Sequence, residues 1–446
     1  MPCLTLVVAG CSGGQPAVPP PGDAAADHHV ATGGNDAGPG TADQPWATIQ
    51  HAADAAAPGE TVQIHAGQYD EDVRLSRSGD LGAPITLRGA PNRATVVRSF
   101  ELAQGASHVR LNGFAVRGYD IWGITLNGDN TDIGLSDLEV SGGEVGIRLT
   151  VGYSGEEPEF GPVSGVIVQD TCIHDVVYAG VDGTPGPCNQ LSFRRVEVYG
   201  AGLGGEDSFA ADGLSIERGR DLRVEECSIH DNGGDGIDLN SRDTDADVGQ
   251  ILVMRNAVYR NHLNGIKLWA GGRMERNTVW GQGVNPVDVG ALDCAATIVN
   301  NTIAYNMWDA DYGARDYAST FGYAEPGARP PTVMLTLRGN IFAFNTGPAQ
   351  GSPTGIYLGP GVRLVEERDN VFFSREDEEI YAGFIGAEGR EVSREDITDG
   401  TWAELSGHGV GDLVANPMFV SGWPNVDLRL REGSPAAGVG ATGHRP

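Results

Sequence analysis

Asp235-Gly236-Ile237-Asp238-Leu239 is followed, 29 residues on, by Asn264-Gly265-Ile266-Lys267-Leu268. The two stretches share a frame: a residue before glycine, the glycine, an apolar residue, a variable residue and a second apolar residue. The same frame runs outward from them. It occurs at Trp122-Gly123-Ile124-Thr125-Leu126, Val145-Gly146-Ile147-Arg148-Leu149, Ala179-Gly180-Val181-Asp182 and Asp212-Gly213-Leu214-Ser215-Ile216, with weaker copies at Gly290, Gly313 and Gly355. The six clear glycines lie 23 to 34 residues apart. A unit of that length, built of short alternating runs and turn residues, cannot bury its apolar face alone and must stack on its neighbours. The expected fold is all-β, a parallel β-solenoid. Asn256, Asn277 and Asn301 stand at equivalent turns and should form a ladder, with Cys227 as a buried stacking residue in the same place.

Aligning the copies on glycine gives two columns. The position before glycine holds Trp122, Val145, Ala179, Asp212, Asp235 and Asn264. The position two after it holds Thr125, Arg148, Asp182, Ser215, Asp238 and Lys267, with Arg315 and Tyr357 as further members. Residues flanking an inward apolar residue point outward on a strand, and neighbouring strands lie about 4.8 Å apart. Asp212, Asp235, Asp238 and Lys267 should therefore share one outer face within three successive coils.

The composition narrows the function. The 446 residues carry 60 acidic and 30 basic side chains, a net charge of −30. Of the 30 basic residues 29 are arginine, and Lys267 is the single lysine. Such a charge argues against a nucleic-acid partner, which needs clustered cations for its phosphates, and against adsorption to anionic lipid. No run of 18 apolar residues exists to span a membrane. Leu6-Val7-Val8-Ala9-Gly10-Cys11 resembles a lipobox, so residues 1–11 read as a partial lipoprotein-type signal. The expectation is a secreted or outer-surface bacterial protein, a monomer, touching a membrane only through lipid on Cys11. Residues 12–40, rich in Pro, Gly, Ala and Asp, read as a flexible tether, and 41–446 as the solenoid. An Ala-rich stretch from Trp46 to about Ala57 should form a short helix over the open end of the sheet. The body cysteines Cys172, Cys188, Cys227 and Cys294 form no CxxC pair; an oxidising compartment would permit a bridge such as Cys172–Cys188.

Three carboxylates on one face form a candidate site for a hard cation such as calcium, which takes oxygen ligands. A lysine beside them is no ligand while charged. It is useful as a base if its pKa falls from about 10.4, as a nearby divalent cation would cause. That combination suits removal of the proton next to a carboxylate, followed by loss of the glycosidic oxygen through β-elimination. A lone lysine in an arginine-using chain fits this, because arginine does not usefully release its proton.

The runs Ala211–Ser215, Asp231–Leu239 and Asn264–Leu268 resemble the active-site segments of family 9 polysaccharide lyases, which include calcium-dependent pectate lyases. The resemblance implies a right-handed parallel β-helix, Asp212, Asp235 and Asp238 as calcium ligands, Lys267 as the base and a pectate-like acidic polysaccharide as substrate. The entry runs Gly40–Gln50, Pro58–Val62 and Gly67–Tyr69 are also similar, though many β-helix proteins share them. One departure stands out: the family has two adjacent aspartates where this chain has Gly234-Asp235. Asp231, or the loop acids Asp243, Asp245 and Asp247, would then have to replace the missing ligand.

Arg148 and Arg315 are candidates for holding substrate carboxylates, and Trp269 and Tyr312 for stacking on sugar rings. Asn264, in the column with Asp235, is taken with them as a substrate-binding candidate. Asp243–Asp247 resembles the start of an EF-hand loop but lacks its later glycine and glutamate, and reads first as an acidic surface loop. Gly407-His408-Gly409 lies after the coils and reads as structural. Two other functions fit the sequence: a non-catalytic carbohydrate-binding or structural β-helix protein, and a uronate epimerase, which also starts by proton removal. A surface of net −30 does not by itself attract a polyanion.

Overall fold

The computed structural model describes residues 25–149, 160–202, 211–240, 248–306, 319–322, 329–345, 356–373, 380–383 and 392–441. They coil into a parallel β-helix with three faces. The first face runs from His28–Val30 through Ile251–Met254 to Val362–Arg368. The second runs from the first half of Gly67–Leu75 through Ser228–His230 to Leu413–Val414, and the third from the second half of Gly67–Leu75 through Ile237–Leu239 to Ile380–Gly383. Strand pairing within each face is parallel, save the turnback at Val392–Ser393.

Alternation sends one set of side chains inward. Ile237, Leu239, Ile266, Leu268, Val287 and Val289 are all at most 1% exposed, stacked coil on coil. Burying each such side chain is worth roughly 1.5–3 kcal/mol, and stacking supplies what a single coil lacks.

The turns are built on left-handed residues followed by an amide. Arg255, Arg276, Asn300 and Asp369 have φ of 54–57°, and each precedes a ladder asparagine. Asn277 Oδ1 accepts the N–H of Asn256, Asn301 Oδ1 that of Asn277, and Asn340 Oδ1 that of Asn301, each at 2.9 Å. Cys227 heads this ladder, its N–H bonded to Asn256 Oδ1 at 2.8 Å. The expected ladder is thus present, with Cys227 buried at its end. A second ladder, Asn232, Asn261, Gln282, Asn306 and Asn345, crosses from the second to the third face.

The capping helix is Ile49–Ala55, with Thr48 as its N-cap and Ile49, Ala52 and Ala53 buried against the coils. At the other end the helices Arg394–Thr398 and Thr401–Ser406 close the stack, with Trp402 buried. A hairpin, Phe419–Ser421 with Asp427–Leu430, folds back so that Phe419 and Ala436 pack on Ala304, Ile341, Ala343 and Val371.

Three expectations change. The solenoid starts before residue 41, because His28–Val30 pairs with Val62–Ile64 and the Trp46 indole bonds Gly38 O; residues 1–24 lie outside the described residues. Cys188 is a free, buried thiol, so the Cys172–Cys188 bridge is not formed. Gly290 does not belong to the glycine column. The register pairs Lys267 with Asp288, which puts Pro286 in the glycine position, and pairs Asp288 with Thr320, so Thr320 and not Arg315 holds the next place. Arg315 itself lies outside the described residues.

Candidate active site on the third face

The glycine column explains why the third face can carry packed polar groups. A Cβ on Gly213 would lie 2.8 Å from Gly236 O, and one on Gly236 2.7 Å from Gly265 O. Backbones therefore approach closely there, and the two flanking columns stand in register on the outer side of the face, where Asp212, Asp235, Asp238 and Asp288 are nonetheless buried. The outward column reads Glu101, Thr125, Arg148, Asp182, Ser215, Asp238, Lys267, Asp288, Thr320, Tyr357.

The column before glycine forms a third hydrogen-bonded ladder. Asp212 Oδ1 accepts the Asp235 N–H at 2.7 Å, Asp235 Oδ1 accepts the Asn264 N–H at 2.8 Å, and Asn264 Oδ1 accepts the Asn285 N–H at 3.2 Å. The Asn264 side-chain amide also donates to Asp235 Oδ1 at 2.7 Å. Asn264 thus orients Asp235 as well as standing beside the cluster.

Asp212, Asp235 and Asp238 offer carboxylate oxygens that all lie within 4.8 Å of one another. Lys267 Nζ donates to Asp235 Oδ2 at 3.2 Å and to Asp238 Oδ2 at 3.0 Å. The four residues expected to converge do so. Burial, and then the charges of Asp235 and Asp238, push the Asp212 carboxyl well above the ordinary carboxylate range. Burial works against a charged Lys267, but the Asp238 and Asp235 carboxylates outweigh it and raise its pKa above the usual lysine value. The expected depression is therefore absent with the protein groups alone, since three acids surround one ammonium.

That balance is the test of a divalent cation. Fully ionised, three carboxylates and one ammonium would carry a charge of −2, which the raised Asp212 carboxyl shows the protein groups alone resist, and the donors are all hard oxygens of the type calcium takes. Position 234 offers no further ligand. A Cβ there would lie 2.4 Å from Asp212 Oδ1 and 2.8 Å from Ala211 C, so the glycine is imposed by the packing of the cluster itself. Asp231 does not replace it: its carboxylate is held at the preceding turn by His230 Nδ1 at 2.7 Å and by Arg260. Asp243, Asp245 and Asp247 lie outside the described residues.

The remaining candidates separate. Trp269 lies beside the cluster, with Lys267 Nζ 4.7 Å from its ring centroid. Arg148 is buried and committed to an ion pair with Asp182, and its second Nη donates to Thr184 O at 2.6 Å. Tyr312 is outside the described residues. His408 bonds Leu364 O, consistent with a structural place. Asp288, buried and next to Lys267 in register, escaped the glycine alignment because its coil has proline where the others have glycine.

Residues 122–303 match the family model described as right handed beta helix region, which gives the coil its hand and covers the six clear copies. Residues 32–75 match a family described as of unknown function. The chain is 24% identical over 348 residues to the uncharacterized protein YwoF of Bacillus subtilis (strain 168), covering 63% of this chain and 74% of that one. It is 34% identical over 80 residues to the pectate lyase PEL9 of Emericella nidulans, 18% of this chain and 20% of the relative's length. Among solved structures, pectate lyase Pel9A aligns with a TM-score of 0.47 at 18% identity, covering 72% of this chain and 80% of its own. The A-module of the Azotobacter vinelandii mannuronan C-5 epimerase AlgE6 aligns at 0.49 and 16% identity, covering 82% and 93%. The chain is a right-handed parallel β-helix with an acidic cluster and its only lysine on one face.

Proposed function

We propose that the protein is a polysaccharide lyase that cleaves a uronate-containing, pectate-like polysaccharide by calcium-assisted β-elimination, with Lys267 as the base. The observation that carries this is the contact of Lys267 Nζ with Asp235 and Asp238, with Asp212 completing the cluster. The local sequence likeness to a protein named as a pectate lyase supports it.

Asp212, Asp235 and Asp238 would hold the cation. Bound there, calcium would neutralise the substrate carboxylate and the acids that now hold the lysine proton. Lys267 takes the proton from the carbon next to the uronate carboxylate. The carbon–oxygen bond to the leaving sugar then breaks and a carbon–carbon double bond forms, so the electron pair departs on the glycosidic oxygen. The Lys267 ammonium lies over the ring of the half-buried Trp269, which would stack on a sugar beside the lysine. We further propose an extracellular location, on the strength of the lipobox-like Leu6–Cys11.

The test is direct. Incubate the protein with polygalacturonate and other uronans, with calcium or with chelator, and follow the ultraviolet absorbance of the unsaturated product. Calcium-dependent absorbance that is lost in Lys267→Ala is expected. Absence of signal on every uronan, or full activity in the variant, sinks the proposal; altered uronate composition without cleavage identifies an epimerase instead.

A further inference from the structure

The outward column continues from Asp238 through Ser215, Asp182 and Arg148 to Thr125 and Glu101. At that far end Ser99, Glu101, Trp122, Thr125, Asn127 and Phe160 line a cleft of about 340 Å³. We propose that this cleft is a second saccharide-binding site, one that takes a neutral pyranose ring.

The lining has the chemistry of a sugar site. Trp122 and Phe160 are both part-exposed, in a chain where aromatic residues make up only 7%. Aromatic faces take the apolar C–H face of a pyranose, and a few placed polar groups fix its hydroxyls. Those groups are preorganised here. Asn127 Nδ2 donates to Glu101 Oε1 at 2.6 Å, and Arg74 pairs with the same oxygen. The volume suits one sugar unit, being at the lower end of ligand pockets, roughly 300–1,000 Å³.

The charge selects a neutral ring. Among the lining residues there is no cation, and the adjoining Arg74 is already paired with Glu101. A uronate would bring a second carboxylate to Glu101 without a counter-charge, whereas the hydroxyls of a neutral sugar can donate to it.

The place of the cleft gives it a use. Thr125 stands four strand steps from Asp238, about 19 Å at about 4.8 Å per step. Both sites lie on the outer side of one column, and a glycan that meets both must pass over the groups that bury Arg148, Asp182 and Ser215 between them. The expected ligand is then a neutral stretch or branch several sugars from a uronate. The assignment stands without the lyase proposal, since it needs neither Lys267 nor calcium.

Native affinity electrophoresis of the full chain in gels containing galactan, xylan or mannan, with chelator present, tests it. Retardation by at least one of these is expected. Trp122→Ala and Phe160→Ala should each raise the dissociation constant at least tenfold, while Lys267→Ala leaves it unchanged. Circular dichroism identifies any variant that has not folded; Phe160, in a bend outside the strands, serves if Trp122→Ala fails to fold. Retardation by none of the three, by polygalacturonate alone, or equally in wild type and the folded aromatic variants overturns the proposal. Loss of ultraviolet-detected cleavage bears only on the lyase reaction.

Discussion

Asp235 Oδ1 accepts the backbone N–H of Asn264 at 2.8 Å, one coil away, while Asp235 Oδ2 meets Lys267 at 3.2 Å. One carboxylate therefore closes the coil with one oxygen and faces the cluster with the other. Substitution can separate these tasks. Asp235→Asn keeps an acceptor for Asn264 and removes the charge, so thermal stability should change little while calcium affinity and cleavage are lost. Asp235→Ala also strands the part-buried Asn264 N–H, at a cost of about 1 kcal/mol. Thermal melts and calcium titration of the pair check this; equal melting of the two variants would show that the ladder bond is not stabilising.

Gly234 leads to a less intuitive outcome. Gly234→Asp would reproduce the paired aspartates of the family this chain resembles, yet its Cβ would meet Asp212 Oδ1 at 2.4 Å. The variant should lose about 1–3 kcal/mol through overpacking and bind calcium no better than the parent. Tighter calcium binding in calorimetry would falsify this account of the glycine.

Lys267 should behave as a base and not as a ligand. Lys267→Ala and Lys267→Arg should both lower the cleavage rate about 10²–10⁴-fold, the usual scale for a lost general base. The alanine variant should also bind calcium at least as tightly as wild type, because the ammonium that occupies Asp235 and Asp238 is gone. Weaker calcium binding in Lys267→Ala would overturn the competition between ammonium and cation.

Much of this site was legible in the sequence because a solenoid converts spacing into position. Asp212, Asp235, Asp238 and Lys267 follow one frame, and the register places them as the frame requires. What stayed hidden depends on breaks in that frame. Pro286 replaces glycine, so Asp288 was missed and Gly290 misaligned. The second ladder uses Gln282 among asparagines and is preceded by varied left-handed residues, such as Arg260 and Tyr305, with no common letter to read. The neighbour of Arg148 was readable, since the same frame sets Asp182 next to it in the column. Only their ion pair, which ties up Arg148 and takes it away from a substrate, needed the structure.

The C-terminal cap carries a pH dependence of definite sign. Glu367 is 2% exposed, and burial together with the neighbouring Asp412 pushes its carboxyl up to about 9. Its oxygens accept from Asn370 Nδ2 at 2.8 Å and Trp402 Nε1 at 3.2 Å, and Trp402 Nε1 also donates to Asp412 Oδ2 at 3.0 Å. In the unfolded chain the same group ionises near 4.5. Between those values the folded state keeps a proton that the unfolded state gives up. Stability from this group is therefore full below about 4.5 and falls as pH rises toward about 9. The slope is on the order of 1 kcal/mol per pH unit at most. Glu367→Gln stays neutral throughout, so its melting temperature should fall less than that of wild type between pH 6 and pH 9. Parallel melting curves for the two proteins across that range would show that Glu367 is ionised in the fold.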